Sequence, residues 1–179
     1  MRSSRAATAA SAALLLLALA TSRATAQGAA QYFLQLDSVP GDSTDARFPG
    51  AIVLLGYTVG GDAPRSDGGA IKVTKYLDRA SPQLWLANLT GKHFKSATVT
   101  ARKTGPSGFV FATVALTDVT ITGYQVSLNQ QGQSEQATVT GARVQFCERF
   151  QKADGSLGGS VCGCWDYKSK ITSCSSAPP

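Results

Sequence analysis

IKVTKYLDRASPQLWLANLTGKHF, residues Ile71 to Phe94, decides the fold. It opens as a strand, with Ile71, Val73 and Lys75 on one phase and Lys72 and Thr74 on the other. It then becomes a helix over about residues 82–90, marked at both ends. Ser81 suits the N-cap, because its hydroxyl can accept from an orphan backbone N–H. Pro82 suits the first helical position, where no N–H is needed. Gly91 suits the left-handed residue that closes a helix. Leu84, Trp85, Leu86 and Leu89 make it apolar. The rest of the chain reads as strands and turns, so this is expected to be the only helix of the mature protein. A helix this short is marginal by itself in water, which predicts Leu84, Trp85 and Leu89 pressed onto a sheet.

Outward toward the N-terminus, residues 1–26 read as an export signal peptide. Arg2 and Arg5 give a basic start, Ala12 to Ala20 an apolar run, and Ala24-Thr25-Ala26 a small-residue cleavage site. The apolar run falls short of the roughly 20 residues a membrane span needs, and no later stretch is long and apolar enough. The expected product is a secreted or extracytoplasmic domain over residues 27–179, a length suited to one core. Loss of Arg2, Arg5 and Arg23 lowers the net charge from +6 to +3, too little to argue for nucleic acid or an anionic surface.

The strands come in order. Gln31 to Asp37 alternates, and Val39-Pro40-Gly41-Asp42 turns the chain. Asp42 to Pro49 is a polar loop. Ala51 to Val59 (AIVLLGYTV) is apolar on both phases and expected to be buried. Lys95 to Lys103 alternates as a half-buried strand. Phe109 to Leu116 is the most apolar strand and expected to be central. From Val119 the apolar set runs through Val119 and Ile121, then changes phase after Gly123 to Tyr124, Val126 and Leu128. From Gln136 it runs through Ala137 and Val139, then changes after Gly141 to Ala142, Val144 and Phe146. Such a change requires an extra residue or a sharp twist, which glycine permits. A loop over Asn129 to Glu135 centred on Gly132 sets Gly123 opposite Gly141, so that a long hairpin bends there. Gln151 to Gly159 reads as a loop and Cys164 to Ile171 as the last strand, followed by a short disordered tail. About eight strands and one helix imply a mainly β fold, a small barrel of two curled antiparallel sheets.

Four cysteines crowd the last third: Cys147, Cys162, Cys164 and Cys174. In an exported chain an even number implies disulfides. Cys162 and Cys164 are too close to bridge each other, so Cys147 pairs with Cys162 or Cys164, and Cys174 with the other. A four-thiolate zinc site is the rival, but C-x-C without a C-x-x-C pair does not match its spacing.

Catalytic chemistry has no support. His93 is the single histidine, no nucleophile elbow occurs, and a site with two or three histidine ligands is excluded. The aspartates Asp42, Asp45, Asp62, Asp67, Asp118 and Asp154 fall mainly in loops and turns, without glycosidase pairing or a calcium-loop pattern. The basic residues Lys92, Lys95, Arg102 and Lys103 lack the aromatic interleaving of a nucleic-acid platform. No catalytic, cofactor-binding or metal residue is assigned, and no enzyme activity is expected.

A strand ending in TKYLD, Ser-Pro at a helix start and GKHF opening the next strand resemble the Hcp family, the tube proteins of bacterial type VI secretion. YFLQLDSVPGDS resembles that family's first strand and turn, GAIVLLGYTVG its second strand, and QKADGSLGG with GCWDYKSKI its closing loop and last strand. The resemblance runs from about Tyr32 to Ile171. It implies a β-barrel with one flanking helix, and six-membered rings of identical chains that stack into a tube, with no cofactor and no catalysis. It also implies that the loop Gly60, Gly61, Asp62, Ala63, Pro64, Arg65, Ser66, Asp67, Gly68 and Gly69 contacts a neighbouring ring. Two features depart from the family's pattern: the signal peptide, since tubes assemble in the cytoplasm without one, and the four cysteines. The leading expectation is therefore a secreted, non-enzymatic structural protein that self-associates into rings or tubes. The alternative is a monomeric extracellular binding or effector module on the same barrel, for which shortening the Gly60 to Gly69 loop leaves the solution size unchanged.

Overall fold

The computed structural model describes residues 29–60, 69–105, 108–130 and 132–172. In chain order the elements are β1 (Ala30–Leu36), β2 (Ile52–Leu54), β3 (Gly56–Val59), β4 (Gly69–Lys75), α1 (Ser81–Thr90), β5 (His93–Lys103), β6 (Val110–Asn129), β7 (Gly132–Gln151) and β8 (Leu157–Asp166). The described residues thus hold eight strands and one helix, in agreement with the sequence reading.

All strand pairs are antiparallel, in the order β2-β1-β5-β6-β7-β4-β3, with β8 added to β7. β2 and β3 stand at opposite ends of that path, yet only Leu55 separates them in the chain. The Leu55 N–H donates to the Thr74 carbonyl at 2.8 Å. The sheet therefore curls until its two edges are covalently adjacent, a nearly closed barrel. Its interior holds Leu34, Ile52, Ile71, Val73, Val99, Val114, Leu116 and Val139, all essentially inaccessible. Fully burying one such side chain stabilises the fold by about 1.5–3 kcal/mol.

The segment Ala51 to Val59 is not buried on both phases. Ile52 and Leu54 face inward, while Val53 and Leu55 face solvent. It lies where the wall closes, so it has the one-sided burial of an antiparallel sheet.

The stretch expected over Phe109 to Leu116, which starts one residue later at Val110, and the strand from Val119 are parts of one twenty-residue strand, β6, central as expected, and it pairs along most of its length with β7, equally long. The phase change at Gly123 is real: the register slips between Ile121 and Gly123, leaving Thr122 as a bulge. The opposition of Gly123 and Gly141 is not. Gly123 pairs with Thr138, and Gly141 with Val119. Asn129 stands directly opposite Gly132, so the centre of the hairpin lies earlier than a loop around Gly132 requires.

The last strand also lies earlier than Cys164 to Ile171. Lys152 to Ser156 forms a tight turn, closed by the Lys152 N–H to the Ser156 carbonyl at 2.8 Å. Asp154 accepts from the Ser156 N–H and hydroxyl. Leu157 onward is thereby returned along β7 as β8.

The helix lies against β6, where the Asn88 side-chain amide donates to the Ile121 carbonyl at 3.1 Å. Its buried face is Leu84 and Ala87, preceded by Ala80. Trp85 and Leu89, expected on that face, are instead 51% and 62% exposed. Successive helical residues diverge by about 100°, so Leu84 and Trp85 cannot share one narrow seam. The small Ala80 and Ala87 sit beside Leu84 and let the helix approach closely. Gly91 closes the helix at φ 64°, as expected. The cap at the other end differs: Ala80 occupies the N-cap, and Ser81 turns its hydroxyl back toward the preceding segment.

Candidate functional site

The most concentrated polar chemistry is buried between β4, the helix start and the β6–β7 hairpin. Lys75 and Glu135 are directly opposed in the β4–β7 ladder. Both are buried, and Lys75 Nζ stands 2.5 Å from Glu135 Oε1. Lys75 Nζ also reaches Asp78 Oδ1 at 2.8 Å and donates to Ser81 Oγ at 3.1 Å. The Asp78 N–H donates to Ser81 Oγ, and the Ala80 N–H to Asp78 Oδ1. The second oxygen of Glu135 accepts from the Tyr124 hydroxyl at 2.6 Å. Burial, with that bond to Glu135, pushes the Tyr124 hydroxyl well above its ordinary value. The cluster is a satisfied network in which each charge has an opposite partner, the condition under which buried charge is tolerated. The cluster fixes the helix start to three strands, β4 through Lys75, β7 through Glu135 and β6 through Tyr124.

The sequence carries a signal for this pair that its strand-by-strand reading passes over. Lys75 continues the inward phase of Ile71 and Val73, and Glu135 that of Ala137 and Val139. Opposite charges on two inward phases point to a buried pair.

His93 lies at the surface, its Nδ1 2.9 Å from Asp118 Oδ1, and Lys168 Nζ meets the other oxygen at 2.5 Å. Lys168 first, and His93 second, hold the Asp118 carboxyl below the usual carboxylate range. This exposed clip ties the end of the chain to β5 and β6. Among the described residues, no group of three or more His, Cys, Asp or Glu side chains is placed to hold a metal. None of their helices is long and apolar enough to cross a membrane.

Cys147 and Cys162 face each other across β7 and β8 and are joined by a disulfide, with Cα atoms 4.1 Å apart. Cys164 is also disulfide-bonded, and Cys174 lies outside the described residues. Of the loop from Gly60 to Gly69, residues 61–68 lie outside them too. Gly69 begins β4 opposite Gly141 and is buried.

The remaining feature is apolar surface. Trp85, Leu86 and Leu89 form an uncovered helix face, consistent with their three- and four-residue spacing. Beside the barrel, β8 extends the sheet past β7 as a wing, backed by β6 as far as Glu148 and two-stranded beyond it, that exposes Phe146, Phe150, Val161 and Trp165.

A family model described as "Type VI secretion system effector, Hcp" matches residues 33–148. The protein hcp1 of Pseudomonas aeruginosa is 31% identical over 105 residues, covering 56% of this chain. The chain spans 65% of that relative's length. The fold resembles Hcp1 from Salmonella typhimurium, with a TM-score of 0.70 and 22% identity over 80% of this chain and 99% of that one. It also resembles a type VI secretion system effector from Yersinia pestis, at 0.63 and 24% over 75% and 98% of the two chains. The matched residues run from β1 into β7 and include the helix and the buried Lys75–Glu135 pair. With the barrel order and the capped helix that follows TKYLD, they place the chain in the Hcp family of type VI secretion system proteins.

Proposed function

We propose that the protein is an exported, non-enzymatic structural protein whose chains self-associate into rings that stack. One observation carries this reading beyond kinship. A barrel of the family's fold leaves two apolar faces uncovered, the helix face and the wing, in a chain whose buried polar cluster is arranged for rigidity. Large uncovered apolar faces on a soluble domain mark contact surfaces. The reading takes residues 1–26 as the removed leader, so that the working protein begins at Gln27. It assigns Gly60 to Gly69, between β3 and β4, to contact with the next ring. The disulfide of Cys147 and Cys162 suits a protein that works in an oxidising compartment.

Sedimentation velocity and negative-stain electron microscopy of the oxidised protein test the assembly. The expected result is a discrete ring population that grows with concentration. A strict monomer at high concentration overturns it. Mass spectrometry of the exported product is expected to give an N-terminus at Gln27.

A further inference from the structure

The apolar phase lining the barrel does not stop where the barrel closes. Residues opposed across an antiparallel ladder share a face. Leu116 and Val114 of β6, both in the core, oppose Val144 and Phe146 of β7. Val144 and Phe146 in turn oppose Trp165 and Gly163 of β8, and Glu148 opposes Val161. The inner face therefore runs onto the wing, where Phe146 is 41%, Phe150 54% and Val161 66% exposed.

This wing is held in shape. Phe150 lies over Gly158, where an added Cβ would stand 2.6 Å from the ring, so only glycine permits the approach. The opposite face of the wing carries the Cys147–Cys162 disulfide and the Arg143–Asp166 ion pair at 3.2 Å. β8 is an edge strand whose single charged residue is Asp166, so it lacks the lysines and prolines that normally discourage edge contacts.

The helix face lies elsewhere along the same strand. From Ile121, where Asn88 anchors the helix, to Ala112, which opposes Glu148, is roughly 30 Å of β6. The two faces are also complementary in charge. Glu148 is the one charged side chain among the wing-face positions from Val144 to Phe150, and Lys92, its Nζ 5.1 Å from the Phe94 ring centroid, follows the helix C-terminus.

We propose that the wing face of one copy docks on the helix face of the next, with Glu148 meeting Lys92. The inference rests on the self-association reading and assigns its contact. Two different patches that meet head to tail make a heterologous interface, which repeats around a ring when the rotation closes. Tryptophan and phenylalanine at the centre with few charges is the composition expected of an interface core.

The test uses the oxidised protein with Phe150→Glu/Val161→Glu on the wing or Trp85→Glu/Leu89→Glu on the helix. All four side chains are more than half exposed, and thermal unfolding checks that each variant remains folded. Each variant is expected to lose about 30-fold or more in self-association, the scale of a lost hot spot. Mixed together, the two variants retain one intact wing and one intact helix face between them. Sedimentation is expected to show a one-to-one dimer that grows no further. Lys92→Glu is expected to weaken assembly and Glu148→Lys in the same chain to restore it. If wild type assembles and both variants assemble equally well, the docking assignment falls and the ring reading stands. If only the wing variant is impaired, the pairing with the helix falls. If wild type never assembles, the ring reading itself falls.

Discussion

The two ends of the β6–β7 ladder are stabilised by different means. At the helix end, Lys75, Asp78, Ser81, Tyr124 and Glu135 are packed among core side chains and bonded to one another. At the wing end no second layer covers the sheet, and a covalent bond between Cys147 and Cys162 holds β8 to β7. A hydrogen-bonded charge network gains strength from the low dielectric around it, which requires a core. A disulfide acts largely by limiting the unfolded chain and requires none. Where this chain can bury a network it does so, and where it must leave a face open it uses sulfur.

Removal of Lys75 puts the greatest stress on this contrast. Lys75→Met leaves Glu135 buried beside an uncharged side chain, and chemical denaturation is expected to show a loss of about 3–5 kcal/mol. Lys75→Met with Glu135→Leu is expected to recover part of it, because the fully buried Glu135 charge is gone while Asp78 still lacks its lysine and Tyr124 its acceptor. At the other end, Cys147→Ser with Cys162→Ser opens a loop closed over a sequence separation of 15. The expected loss is about 3 kcal/mol. Hydrogen exchange is expected to place it in β8, with the amides of β5 still protected. A loss of protection spread through the barrel would erase the distinction between the two ends.

Tyr124→Phe is the mildest test. It removes the donor to Glu135, at an expected cost of about 1–2 kcal/mol at neutral pH. The folded protein holds the Tyr124 proton more tightly than the unfolded chain does. Its contribution is therefore complete below the ordinary tyrosine value near 10 and fades as pH rises above it. Stability measured from pH 8 to 11 is expected to fall less steeply in the variant than in wild type.

Much of the barrel is legible in alternation alone, because one face of each wall strand meets the core. The bulge at Thr122 is legible as a phase change at Gly123. The hairpin centre is not, since Gly132 looks like the middle of a loop but pairs directly with Asn129. Trp85 is misplaced for a related reason. In a helix apolar on several sides, hydrophobicity does not say which side is buried. Here Ser81 and Asn88 fix the rotation by bonding to Lys75 and to the Ile121 carbonyl, and Trp85 is left outside. The wing is legible as apolar, but sequence alone does not reveal that its covering layer is absent.

The seam at Leu55 bears on how the molecule is made. β1 waits for β5, and β4 waits for β7, partners sixty or more residues later in the chain. Synthesis from the N-terminus therefore delivers the first four strands long before the strands that cover them. Only the short β1–β2 and β3–β4 ladders can form early. Such deferred pairing favours slow folding and leaves sticky strands bare in the interim, so a chaperone that shields nascent chains is expected to raise the yield of this protein.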